Sequence, residues 1–486
     1  MKLLLLLPII GSLIISILPN ETQSEKIRLK KIALVTSIVT LIQSIFIWIG
    51  LEEGTANIQL IYKWNWYQDI GIVFGIDGIS IIYILLTALI IPICILASWE
   101  SIKILEKQYW ISLLVLESIL IAVFTVLDIL GFYICFEAVL IPMFIIIGIW
   151  GAREEKITAS YYFFFYTLIG SVLFLISIIY IYKETGTTDY NTILGYKLDP
   201  QVQNWIFLAF FASLAVKIPK FPFHIWLPLA HVEAPLAGSI ILAGILIKLG
   251  SYGFIRFALP ILPDACVYFT PLVYTLAVLG IIYASLTTIR QTDLKRIIAY
   301  SSVSHMAVVM LSIFTLTAIG IEGSIFLQVA HGIVSSALFI VVTILYDRHH
   351  TRIVKYYRGM TITMPIFSSM FFFFTLANIA VPLSCNFIGE FVSLLATFES
   401  NPFIAVLASS GMILSACYSL FLYNRVAFGT ISPYVSSAPN NRDVTRREFY
   451  LLTPLIFFTI ILGIFPNIVF QPLHSSVVFL LSFIHP

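Results

Sequence analysis

Charged residues are scarce. Asp, Glu, Lys and Arg make up 11% of the 486 residues, where a soluble domain of this size needs about 25% to cover its surface. That shortage excludes a water-solvated globule. The net charge of +2 excludes the basic face that nucleic-acid binding requires. Cysteine is sparse too. Cys94, Cys135, Cys266, Cys385 and Cys417 are scattered through apolar runs with no CxxC pair, which argues against a metal site, an iron–sulfur cluster or a disulfide framework. No GxGxxG phosphate loop is present, so a nucleotide or flavin would lack an obvious seat. No Arg/Ser-rich transit segment precedes the first apolar run.

What the chain has is hydrocarbon, 60% of its residues being hydrophobic. About fourteen apolar runs approach the ~20 residues that a bilayer core demands. They cover 2–19, 30–51, 78–98, 110–128, 129–150, 158–182, 204–229, 234–258, 267–289, 295–317, 321–346, 365–396, 403–425 and 450–470. A short apolar stretch after Pro472 reads as interfacial. Runs of this length exclude barrel strands, so the expectation is an all-α polytopic membrane protein. The opening MKLLLLLPIIGSLIISILPN has the look of a signal peptide. An uncleaved first span is expected instead, since no small-residue cleavage site follows.

Loop charge supports this count. Alternate loops are assigned to sides A and B of the bilayer. Side B then carries only Lys2, Lys63, Lys183, Lys197 and Arg256, Lys217, Lys220 and Lys248 fall inside spans, and every other Lys and Arg falls on side A. The positive-inside rule makes side A the cytoplasm or matrix, with both termini on the opposite side. An error of one span would scramble the bias.

Against this background SLAVKIPKFPFHIWLPLAHVEAP (213–235) is anomalous, because it places lysines and helix-breaking prolines inside a span. A buried charge costs ~2.5–3.5 kcal/mol on insertion scales. Glu117, Glu137, Lys217, Lys248, His305, His331 and Glu390 all lie inside or beside apolar runs. Each has a bland reading. Lys220 and Asp128 can snorkel from span ends, Glu117 can bond a neighbouring helix, and His305 and His331 can be satisfied core histidines. Glu137, Lys217, Lys248 and Glu390 are harder to dismiss, because together they form a mid-membrane constellation of both signs. Desolvation and a nearby carboxylate act oppositely on a buried lysine, which suits it to taking up and releasing a proton. Histidine titrates near neutrality and suits a relay. The prolines free backbone groups to bind water beside Lys217. A second run, ANIAVP ending at Pro382, breaks span 12 as LAVKIP ending at Pro219 breaks span 7. Paired broken helices point to an ion path between inverted repeats, although aligning the prolines sets Lys217 against Ala380.

The segments VKIPKFPFHIWLPLAHVEAPLAGSIILAGILIKLGSYGFIR, TDLKRIIAYSSVSHMAV and YICFEAVLIPMFIIIGIWG resemble the chain-4 family of antiporter-like subunits of respiratory complex I, the proton-pumping NADH:ubiquinone oxidoreductase. The resemblance spans essentially the whole chain. AHVEAPLAGS followed by LIKLGSYG, together with Glu390, distinguishes this family from its sister chains 2 and 5. The resemblance implies fourteen transmembrane helices with two inverted five-helix repeats and broken helices 7 and 12. It divides the chain into N-terminal helices (1–109), a first repeat (110–258), a second (259–425), and a C-terminal loop, helix and tail (426–486). Residue by residue, it implies that Glu137 modulates Lys217, that Lys248 is the central lysine, that His305 and His331 are relays, and that Glu390 is the exit group. Glu117 and His224 are secondary candidates. Leu229 departs from the charged residue common in relatives, which puts an entry role there in doubt.

By the same resemblance this chain holds no redox centre. NAD, FMN, iron–sulfur clusters and ubiquinone belong to other subunits, and the partners are membrane-arm subunits, especially antiporter-like chains 2 and 5, and membrane lipids, with no nucleic acid. Richness in Ile and Phe favours the mitochondrial inner membrane and synthesis inside the organelle, with a bacterial plasma membrane as the alternative. Two other functions stay open: a stand-alone cation/proton antiporter of the same fold, and a scaffold whose charges only pair.

Overall fold

The computed structural model describes residues 1–52, 54–67, 70–436 and 442–484. Among them, eleven helices are long and apolar enough to cross a membrane. Shorter apolar helices cover Lys2–Ile17, Pro365–Asn378 and Asn467–Leu481. Several helices start where a side chain satisfies the free N–H groups of the first turn. Asp128 accepts from Gly131 N at 2.6 Å, Asp293 from Lys295 N at 2.8 Å and Thr317 from Gly320 N at 3.2 Å. At Asp77 the exchange is reciprocal: Ser80 N donates to the carboxylate and Asp77 N to the Ser80 hydroxyl.

The Leu236–Ile261 and Ala318–His349 helices are buried along their hydrophobic lengths. They form the centre of the bundle. Peripheral helices instead expose apolar side chains, among them Phe46, Ile169, Trp205, Phe403 and Phe421. An exterior of this kind is suited to lipid or to the apolar face of a neighbouring membrane protein.

Both expected breaks are present. The Pro200–Lys217 helix stops, and a new helix runs over Trp226–Glu233. Pro219 and Pro222 between them lack the N–H a continuous helix needs. Two groups beside the break find other partners: the Trp226 indole donates to Val216 O at 2.9 Å and Lys220 N to Ala215 O at 2.9 Å. The second break separates Pro365–Asn378 from Cys385–Ser400. Within it Ala380 (φ 64°) and Leu383 (φ 77°) occupy left-handed backbone, a conformation that residues with a Cβ adopt at a cost. The Leu236–Ile261 helix widens to π-helical geometry at Leu242–Leu246 and at Phe254–Ala258. Such bulges cluster at functional sites, and Lys248 lies between them.

Helical reading of the spans misses two features. Gln59–Tyr67 and Ile70–Ile76 pair as an antiparallel hairpin, with Tyr62 opposite Phe74 and Trp64 opposite Ile72. These segments are rich in β-branched and aromatic residues, which fit a pleated surface. The run at 450–470 holds a spanning helix, Arg446–Ile464, which ends before Pro466, and the apolar stretch beyond forms a separate helix, Asn467–Leu481. That helix packs near the hairpin, where Gly78 N donates to Ser476 Oγ at 3.1 Å and Ser475 Oγ to Thr55 O at 3.1 Å.

Gly250 sets the spacing at the heart of the bundle. A Cβ there would lie 2.6 Å from Ile218 Cγ1, 2.8 Å from Leu214 O and 3.2 Å from Lys217 Cβ. Only hydrogen lets the Leu236–Ile261 helix approach the end of the broken helix so closely. Gly250→Ala is expected to cost about 1–3 kcal/mol through overpacking, read as a lower midpoint of thermal unfolding in detergent. An unchanged midpoint would show that the contact yields freely.

Candidate functional site

The central group is Lys248, fully buried. Its Nζ donates to Ala243 O, inside the first π-helical segment, and lies 3.0 Å from His331 Nδ1 on the Ala318–His349 helix. His331 in turn faces His305, their ring centroids 5.5 Å apart. His305 Nδ1 lies 2.7 Å from Glu390 Oε1. Four of the residues singled out from sequence therefore form one series, Lys248–His331–His305–Glu390, contributed by four helical segments. All four are at most 4% exposed. The amine–imidazole and imidazole–carboxylate contacts are within hydrogen-bond distance, whereas the two imidazoles face each other without a direct hydrogen bond, His305 Nε2 having no partner among the described residues.

Glu137 and Lys217 form a second, looser group. Lys217 Nζ donates to Phe136 O at 3.1 Å and lies 3.9 Å over the Phe136 ring. The nearest polar side chain to the adjacent Glu137 carboxylate is Ser171, whose hydroxyl is turned to Leu168 O at 2.8 Å. No Glu137–Lys217 ion pair within 4.0 Å occurs among the described residues, and the two interact through space. Pro142 lies close after Glu137, and the helix is interrupted at Val139. Lacking an N–H, the proline leaves the carbonyl four residues before it, that of Ala138, without a helical partner.

The secondary candidates lie elsewhere. Glu117 is fully buried but faces the Gln23–Ile49 helix, where Thr40 Oγ1 donates to it at 2.5 Å. His224 lies in the first break among Phe221, Tyr283 and Tyr300. Lys220 does not snorkel: it is 3% exposed and donates to Val273 O at 3.2 Å, because the break turns its side chain inward. Asp128 is a helix cap that also accepts from Thr188 Oγ1 at 2.5 Å.

Sequence reasoning missed three features. His231 is fully buried and stacks on Phe339 at 4.8 Å, its two ring nitrogens without hydrogen-bond partners among the described residues. Arg352, assigned by charge counting to a side-A loop, is 1% exposed. Its Nη2 lies 3.5 Å from Glu233 Oε1 and its Nε 3.6 Å from Asp293 Oδ2, while Nη1 donates to Val232 O. Lys295 Nζ donates to Ala234 O at 3.0 Å beside it. Arg256, counted on side B, is also buried and pairs with Asp77 at 2.6 Å. The one available signal was an acidic residue for each arginine, in HVEAP, QTDLK and GIDGIS, but the pairings cross long sequence distances.

A helical membrane protein with a buried series of titratable side chains between two broken helices has the architecture of an ion-translocating, antiporter-like class. The transmembrane family model described as NADH:quinone oxidoreductase/Mrp antiporter matches residues 127–427. The chain belongs to the NADH:quinone oxidoreductase/Mrp antiporter family. It is 52% identical to the NADH-ubiquinone oxidoreductase chain 4 of Metridium senile, over 98% of this chain and 97% of that one. The protein of the same name in Marchantia polymorpha is 52% identical, over 98% and 95%. Among solved structures, a chain of respiratory complex I from Thermus thermophilus with bound NADH superposes with a TM-score of 0.88 at 26% identity, covering 99% of both chains. A chain of the archaeal membrane-bound sulfane sulfur reductase shares the fold, with a TM-score of 0.87 at 20% identity and 99% coverage of both.

The Arg352 cluster generates a prediction. Arg352→Met keeps most of the volume but leaves buried Glu233 and partly buried Asp293 without the guanidinium between them. Removing one partner of a buried pair costs about 3–5 kcal/mol, so assembled protein on native gels should fall steeply. Arg352→Lys, which cannot reach both carboxylates, should recover part of it. Wild-type levels in the Met variant would show that the cluster does not hold the two helix ends together.

Proposed function

We propose that this chain is a proton-translocating membrane-arm subunit of respiratory complex I. It carries protons while NADH oxidation and ubiquinone reduction proceed in other subunits, which hold the NAD, FMN, iron–sulfur and ubiquinone sites. The observation that carries this reading is the buried Lys248–His331–His305–Glu390 series. Along it a positive charge moves in single-proton steps toward the one carboxylate, Glu390, which cancels it. Ammonium at Lys248 gives its proton to neutral His331 and becomes an amine. His305 takes the next step, and Glu390 ends as a carboxylic acid beside neutral His305. Each state differs from the last by one proton position, which is the least costly way to move charge through low dielectric.

In this reading Glu137 and Lys217 feed the series. At an effective dielectric near 20, opposite charges roughly 8 Å apart still attract by about 2 kcal/mol. The pair therefore works without contact, and movement of either residue changes how tightly Lys217 holds its proton. The two breaks and the family match across 127–427 support assigning 110–258 and 259–425 to inverted repeats. The chain-4 relatives support a place in the complex and a mitochondrial membrane, the loop-charge bias supports both termini toward the intermembrane space, and the sequence resemblance implies a place beside antiporter-like chains 2 and 5. A stand-alone cation/proton antiporter would use the same local chemistry. The 52% identity to NADH-ubiquinone oxidoreductase subunits favours the complex.

Lys248→Met should assemble yet lose most NADH-driven proton movement, measured with a pH-sensitive dye in vesicles holding the purified complex. Full pumping by the assembled variant would sink the proposal. Glu137→Gln and Lys217→Met should each lower activity strongly, and the double variant should be little worse than either, because interacting residues couple non-additively. Strictly additive losses in that cycle would mean that the two residues act independently.

A further inference from the structure

We infer that Gln328, held by the hydroxyls of Tyr83 and Ser251, is a positioning residue that sets the separation of Lys248 and His331. The inference rests on the proton-translocating reading above. It concerns side chains that the series toward Glu390 does not itself contain.

Lys248 and His331 belong to separate helices, so their 3.0 Å contact lasts only if the gap between the two backbones is fixed. Toward side A, glycines fix it. A Cβ on Gly332 would lie 3.1 Å from both Gly244 O and Leu86 Cδ2, and one on Gly244 would lie 2.6 Å from Ile90 Cδ1. Three helices meet there: Leu236–Ile261, Ala318–His349 and Gly78–Ala97. Toward side B, polar side chains join the same three. Ser251 follows Lys248 by three residues and Gln328 precedes His331 by three, a rise of about 4.5 Å in each helix. Ser251 Oγ meets Gln328 Oε1, and it also lies 3.0 Å from Lys248 O. Tyr83 donates its hydroxyl to the same Oε1 at 2.9 Å. The three helices are thus tied twice, once on either side of Lys248 and His331.

The polar tie is itself anchored. The Tyr83 ring stacks on Phe124, with centroids 5.0 Å apart and planes 11° from parallel, and packs edge-on against Tyr252 at 5.5 Å. That packing aims its hydroxyl. A carbonyl oxygen carries two lone pairs, and Gln328 Oε1 meets two hydroxyls, one from each neighbouring helix. Gln328 Nε2 has no hydrogen-bond partner among the described residues. An unpaired buried N–H is unfavourable, so the amide is tolerated here for what its oxygen holds. Lys248, His331, Gln328, Tyr83 and Ser251 are at most 2% exposed, and hydrogen bonds in such low dielectric are strong.

What the tie governs is distance. The Lys248 ammonium gives its proton to Nδ1 of neutral His331 only at hydrogen-bond separation, and the interaction weakens steeply beyond it. Lys248 cannot simply reach further, because its Nζ is also bonded to Ala243 O. Gln328, Tyr83 and Ser251 neither gain nor lose a proton.

The test uses the assembled complex in vesicles, driven by NADH and a short-chain quinone. Tyr83→Phe removes one hydroxyl and keeps the ring packing, and Gln328→Met removes the amide at similar volume. Each should lower proton movement per assembled complex by roughly 3- to 10-fold, part of the ~100-fold that a 1 Å misplacement can cost. Each should also raise the ratio of turnover in H2O to turnover in D2O above that of wild type, because transfer from Lys248 to His331 becomes the slow step. The double variant should be little worse than Gln328→Met, since either change opens the same tie. A wild-type isotope ratio in Tyr83→Phe overturns the inference, whether or not turnover or the amount of assembled complex falls, because a purely structural loss leaves the transfer step as it was. Tyr83→Phe decides the matter even where Gln328→Met fails to assemble. Lys248→Met in the same vesicles separates the two possible failures. If it pumps at the wild-type rate, the translocating function itself falls. If it does not, and Tyr83→Phe keeps the wild-type isotope ratio, only the positioning role falls.

Discussion

A charge inside hydrocarbon must have a partner, a proton to lose, or a path to water. That constraint orders this molecule. Arg352 meets it with Glu233 and Asp293, Arg256 with Asp77, and His305 with Glu390. Among the described residues Lys248 has no carboxylate within salt-bridge distance; its partners are a backbone carbonyl and an imidazole. A lysine placed this way is poorly held as a permanent cation and well placed to exchange its proton. The arginines cannot lose theirs, and they lie in ion pairs toward the two ends of the bundle. The distribution of basic residue types thus separates fixed charges from mobile ones.

Packing keeps the mobile groups in register. The two central helices are buried along their lengths, and small residues bring them close. A Cβ on Gly244 would lie 3.2 Å from Ser336 Oγ, and one on Gly332 3.1 Å from Gly244 O. Close backbones leave side chains little freedom, which is what a series of short contacts requires. The π-helical segments on either side of Lys248 add a second control, because each shifts the angular position of everything beyond it.

Most of the fold was legible because lipid imposes a length and a hydropathy on every span. The spans, the two proline breaks and the buried titratable residues followed from that alone. The hairpin at 59–76 was not legible as a span feature, being too short and too mixed in character. Nor were the partners of Arg256 and Arg352: a loop arginine and a snorkelling one carry the same sequence signature until the fold brings an acid to them. The contact between His305 and Glu390 joins residues far apart in sequence, which no local pattern encodes. Lys220 was misjudged for a related reason, since a side chain's direction at a helix break depends on how the chain turns, and proline content does not specify that.

The first break is often pictured as a loose joint. Here the Trp226 indole, from the start of the second half-helix, holds the carbonyl of Val216 in the first. The bond closes a loop around the residues between, so the two halves are stapled across the gap. The segment from Ile218 to Ile225 can then rearrange internally while the half-helices keep their mutual position. Lys217 stands at the edge of that loop. Its surroundings can change over a few ångströms while the helical frame around it stays still, as a valve seat stays fixed while the disc moves.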